Sequence, residues 1–181
     1  MHTAKVTLES ESPYSQSRMH DTPKNDRESG GDYEERTWRE RAHFTEDGKI
    51  FIPPMVFKNC LDEAGKYLGM KIKGKGKSTY TKHFESGVMV LENALLVDKK
   101  GQQYTKNTCK GNPLFMNADG KRGSSTRVKR TYPIFHEWKA EVTFHVLDDT
   151  ITKDVFMEHL KVAGQFIGIG QFRPKCRGYF G

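Results

Sequence analysis

Regular hydrophobic patterning is confined to a few stretches of this chain, and those stretches predict its elements. Residues 5–9, KVTLE, alternate and are rich in β-branched side chains, which predicts a first strand. Residues 10–48 carry Ser, Asp, Glu, Arg and Gly with few aliphatics; they cannot support a core and predict a long insertion or mobile loop. In residues 50–69, IFIPPMVFKNCLDEAGKYLG, Pro54 suits a first helical turn, where its missing N–H costs nothing. Phe57, Leu61, Ala64 and Leu68 then form one apolar stripe at helical spacing, and Gly69 supplies a stop. A basic loop follows over residues 71–82, and residues 87–97, GVMVLENALLV, have the apolar density of a buried strand or hairpin.

Residues 98–130 form a second polar insertion, rich in Gly, Asn, Lys and Thr. Beyond it Trp138, Ala140, Val142, Phe144 and Val146 alternate with Lys139, Glu141, Thr143 and His145, the clearest strand in the sequence. Residues 148–152 offer acidic and Thr caps for a second helix, whose face carries Phe156, Leu160, Ala163 and Ile167. That helix leads into IGIGQFRPKCRGYF at residues 167–180, a glycine-rich loop expected to precede a closing strand. The order predicts an α+β protein with a ferredoxin-like or RNA-recognition-motif βαββαβ core carrying two long polar insertions, residues 10–48 and 98–130. With 181 residues, a single domain spanning residues 1–181 accounts for the whole chain.

Charge changes this picture. Residues 1–48 hold seven Lys and Arg against eleven Asp and Glu, whereas the remainder holds 23 against 12, so the basic character sits in the body of the protein. The overall +7 then points to a polyanionic partner. Cys60, Cys109 and Cys176 are odd in number and form no CxxC pair, which argues against a disulfide framework or zinc site and fits a reducing cytoplasm, prokaryotic or that of an infected host. No apolar run approaches ~18 residues and no signal peptide is evident, so no membrane association is expected.

Three basic clusters carry the candidate chemistry. In the terminal loop, Gly168, Gly170 and Gly178 bracket Arg173, Lys175 and Arg177, with Phe172, Tyr179 and Phe180 interleaved. Glycine permits close backbone approach, Arg and Lys neutralise phosphate, and rings such as Tyr179 stack on bases. Lys71, Lys73, Lys75, Lys77 and Lys82 make a second cluster, and Lys121, Arg122, Arg127, Lys129 and Arg130 a third. Within the first insertion Trp38 is flanked by Arg36, Arg39 and Arg41; Trp38 and Arg39 read either as a finger that stacks on bases, as an arm on a neighbouring subunit, or as a charged hairpin with one packed Trp. GKGKS fails the P-loop spacing in both registers and follows a helix, which excludes that mode of ATP binding. Histidines occur in no metal-ligand spacing, and no cofactor is predicted; His83, His136, His145 and His159 are left as general acids or bases for a metal-independent ribonuclease, or as packing residues.

The IPP lead-in to the first helix (Ile52, Pro53, Pro54) and the GIGQFRPKCRGYFG terminus, together with the order of elements, resemble the RAMP superfamily of CRISPR-associated proteins. That family has Ile-Pro-Gly where Pro54 stands here. The resemblance implies a backbone subunit that polymerises along guide RNA and grips phosphates without reading sequence, with Lys58 as a further RNA contact. It also implies single-stranded nucleic acid, RNA foremost, and further copies or related subunits as partners. Two alternatives stay open: a RAMP-type endoribonuclease, and a phage-type inhibitor or decoy subunit that docks on a host defence complex.

Overall fold

In a computed structural model, residues 1–118, 126–178 and 181 are described. The elements in chain order are β1 (His2–Glu9), β2 (Tyr14–Ser15), α1 (Gly30–Thr37), β3 (Phe51–Ile52), α2 (Pro54–Leu68), α3 (Thr81–Gly87), β4 (Val88–Val90), β5 (Ala94–Leu95), β6 (Lys110–Asn117), β7 (Arg127–Phe135), β8 (Lys139–Val146) and α4 (Lys153–Val162). They form an α+β architecture with three small antiparallel sheets, ordered β1-β8-β4, β2-β7-β6 and β3-β5.

Alternation decides the main sheet. Val6 lies opposite Val142 and Val88 opposite Val146, so every strand turns its apolar row to one side. Helices α2 and α4 cover that side: Phe144 meets Phe57 at 6.5 Å and Phe156 at 5.3 Å between ring centroids. The predicted stripe of α2 holds, with Phe57, Leu61 and Ala64 buried, each large side chain contributing about 1.5–3 kcal/mol. Gly69 closes the helix at φ 53°, in the left-handed region. Thr152 caps α4 by accepting from Val155 N–H, and a π-helical turn, Ala163–Ile167, continues the helix toward the terminus.

Both predicted insertions carry structure. The first contains β2, α1 and the 3₁₀ turn Trp38–Arg41. Ser29 caps α1 by accepting from Asp32 N–H at 3.1 Å. Glu34 and Arg41 form a buried ion pair that reaches β7: Thr131 N–H donates to Glu34 at 2.6 Å, and Arg41 donates to Thr131 O at 2.9 Å. The second insertion folds into the β6–β7 hairpin, with β2 added at its base. Residues 87–97 divide between two sheets, β4 on the main one and β5 on β3, because polar Glu92 and Asn93 interrupt the apolar run. After α4 the described residues supply a 3₁₀ turn, Pro174–Cys176, and no closing strand.

Candidate nucleic-acid interface

The terminal glycines are needed for the chain's own packing. A Cβ on Gly170, at φ 84°, would lie 2.7 Å from Ser15 O and 2.8 Å from the Tyr14 ring. One on Gly168, at φ 71°, would lie 2.6 Å from Pro174 Cδ, and one on Gly178 would strike the Phe172 backbone. These positions let the loop fold against β2 and itself, so glycine's close approach is to protein, where a phosphate had been expected. Between this loop, β2 and α2 lies a hollow of about 410 Å³ lined by Gln16, His43, Asn59, Glu63, Gln171 and Arg173.

Several predicted phosphate contacts are engaged elsewhere. Lys58 pairs with Asp62 and donates to Phe84 O at 3.1 Å and Glu85 O at 2.9 Å, closing the C-terminal end of α3. Such a half-buried ammonium already has a carboxylate and two carbonyls as partners within the protein. Lys175 pairs with Glu63, and Arg173 donates to Gly170 O at 2.8 Å. Arg177 is exposed at φ 60°. Trp38 is 9% exposed, packed against Gly111 with the Arg39 guanidinium 4.2 Å over its ring; it is the packed Trp of the third reading and presents no stacking finger. Cys60 lies beside Gly168 O, and burial pushes its thiol up to about 12, so it stays an unreactive thiol. Burial, and then the charge of Arg18, lowers the His43 pKa and keeps that ring neutral.

Other cations stand clear of carboxylates. Lys71, Lys73, Lys75 and Lys77 are exposed on a loop closed by Ile72 N–H to Ser78 O at 2.9 Å and anchored by buried Ile72 and Tyr80. Gly74 and Gly76, at φ 79° and 60°, make the turns between them. Lys82 is exposed on α3, and none of these five forms an ion pair among the described residues. On the hairpin, Arg127 and Lys129 are exposed while Arg130 is half-buried, its guanidinium reaching Ala118 O at 3.5 Å. Lys121, Arg122 and Tyr179 lie outside the described residues.

Sequence reading passed over the aromatics of this surface. Phe115 is 72% exposed and sits directly opposite Lys129, with Arg127 one pair further along the same face. A ring beside two cations can take a base on its face while they hold the flanking phosphates. The signal was present in the alternation of residues 110–117, where Phe115 falls on the side shared by Gly111 and Pro113. Tyr67 and Phe166 form a second exposed pair, stacked at 5.4 Å between centroids. By contrast, the open face of the main sheet carries Lys5, Thr7, Glu141, Thr143 and Met89, with no Phe, Tyr or Trp. Stacking on that face, the usual mode of an RNA-recognition motif, has only the partly buried His145 imidazole to act through.

Of the four histidines considered for chemistry, His159 is fully buried and stacked 4.0 Å from Phe84, its charge disfavoured by desolvation. His145 Nε2 is buried and lies 3.7 Å from Glu92, and His136 is exposed. His83 is hydrogen-bonded to a carboxylate: its Nδ1 lies 2.6 Å from Asp148 Oδ2, and both side chains are partly exposed. That hydrogen bond, with those from Thr150, lowers the Asp148 carboxyl to about 2. No group of three or more potential metal ligands occurs among the described residues, and no helix there is long and apolar enough to cross a membrane. No family model matches the chain, and no curated protein matches it.

Proposed function

We propose that this protein binds single-stranded nucleic acid, RNA in the first place, by gripping phosphates and stacking bases without reading sequence, and that it assembles with copies of itself or related subunits. The observation that carries this is Phe115, exposed on the β6–β7 hairpin opposite Lys129 and diagonal to Arg127, in a chain whose 71–77 loop presents four more lysines without an ion pair among the described residues. Support for a ferredoxin-like core comes from the order β1, α2, β4, β8, α4 with sheet order β1-β8-β4, the first five elements of that pattern. A RAMP-like backbone subunit in the cytoplasm fits this reading. The test is fluorescence anisotropy with labelled RNA oligonucleotides of unrelated sequence over a salt series. Binding should be indifferent to sequence and fall linearly in log–log salt, with a slope of about −0.7 per neutralised phosphate. No binding at low salt, or affinity independent of salt, overturns the reading.

One observation favours a second reading, a metal-independent endoribonuclease. The His83–Asp148 pair leaves Nε2 of His83 as the ring nitrogen able to accept a proton from a ribose 2′-OH, with the exposed Lys82 adjacent in sequence. Cleavage of hairpin RNA in EDTA that disappears in His83→Ala supports it; no product, or unchanged product, rules it out.

A further inference from the structure

Ser10 N–H donates to Trp138 O at 2.9 Å, which places the even-numbered residues of β1 in the hydrogen-bonded pairs with β8. The backbone N–H and C=O groups of Thr3, Lys5, Thr7 and Glu9 therefore point outward, and no strand among the described residues lies on that side. An unpaired edge of 8 residues is long, since folded proteins commonly block such edges by shortening them or breaking them with proline. The apolar row is also unfinished there. Ala4, Val6 and Leu8 remain half-buried, whereas Ala140, Val142 and Phe144 behind them are buried. Beside Leu8 a hollow of about 600 Å³ opens, walled by Phe57, Trp138 and Leu160.

We infer that this edge pairs with the same edge of a second copy of the chain, antiparallel about a two-fold axis at Thr7. Side-chain alternation restricts the register to those that keep both apolar rows on one face. A two-fold at Lys5 would set Lys5 against its own copy, and one at Val6 would leave Lys5 and Glu9 facing threonines. The two-fold at Thr7 sets Lys5 against the partner's Glu9 twice, Val6 against the partner's Leu8 twice, and Thr7 against the partner's Thr7. Opposite charges, apolar residues and a β-branched pair then all meet across the join. Two three-stranded sheets become one of six, with a self-complementary interface. This complementarity of β1 with itself is what identifies the occupant as a second copy. The inference deepens the self-assembly half of the proposed function and does not depend on the nucleic-acid half.

The experiment is sedimentation velocity on nucleic-acid-free protein over a micromolar concentration series. Wild type should pass from monomer to dimer. Thr7→Pro should stay monomeric with an unchanged melting temperature, because its lost N–H points away from β8 and proline is tolerated on an edge. Lys5→Glu and Glu9→Lys should each be monomeric alone and should heterodimerise when mixed, because each supplies the opposite charges for the other. Loss of the exposed Glu9–Lys139 ion pair in the second variant has little effect on folding. A wild type that stays monomeric, a dimer that survives Thr7→Pro, or a mixture that fails to associate overturns the inference. A monomer that binds RNA overturns this interface alone, and a dimer that binds none overturns the nucleic-acid reading alone.

Discussion

Removing the Glu34 carboxylate from beneath the β6–β7 hairpin should unfold the protein at a markedly lower temperature. Glu34 and Arg41 have side-chain exposures of 11% and 10%, and Glu34 also accepts the Thr131 N–H. Burial acts to raise the Glu34 carboxyl pKa, but the Arg41 hydrogen bond, the Thr131 N–H and the nearby arginine charges outweigh it and hold the pKa below its ordinary value. Glu34→Leu strands a buried guanidinium, a change that costs about 3–5 kcal/mol. The slight exposure of both groups favours the lower end, and about 3 kcal/mol corresponds to a fall of about 6–12 °C in Tm for a chain of this size. Adding Arg41→Met removes the stranded charge, so the double variant should recover at least about 1 kcal/mol over the single one. Urea denaturation of the two singles and the double measures this directly. A single variant that loses less than about 1 kcal/mol, or a double as unstable as the sum of the singles, refutes the reasoning.

Phe115→Ala should weaken binding to single-stranded RNA by about 1–3 kcal/mol at all sequences while leaving Tm unchanged, since the ring is 72% exposed; anisotropy and thermal melting check the two halves. Lys73→Ala and Lys75→Ala should each reduce the log–log salt slope by about 0.7, whereas Lys58→Met should lower Tm and leave that slope alone. Gly170→Ala should destabilise by at least about 1–3 kcal/mol, read by urea unfolding, because φ is 84° and the new Cβ meets Ser15 O. Asp148 has a folded pKa lowered to about 2, so its contribution is present above the unfolded value of about 3.9 and is lost as pH falls from about 4 to 2; acid unfolding of Asp148→Asn should lack that component.

Where one side chain's environment is set by its own element, the sequence was legible. The stripe of α2, the Gly69 stop, the alternation of β8 and the Thr152 cap all follow from periods of 3.6 or 2 and from local hydrogen bonding, and each stands where it was expected. The polar stretches were misread because their order comes from distant partners. Trp38 is buried only because Gly111, remote in sequence, gives its ring room, and Arg41 is buried only because Glu34 and Thr131 complete its hydrogen bonds. The candidate site divides the same way. Composition alone identified a basic protein with lysines at 71–77, and those residues stand exposed. Tertiary structure alone determined that Lys58 and Lys175 are already paired, that the terminal glycines pack against protein, and that Phe115 stands beside Lys129 and Arg127. Charge is a property of the chain, but whether a charge is available depends on which carboxylate or carbonyl the fold brings within about 3 Å of it.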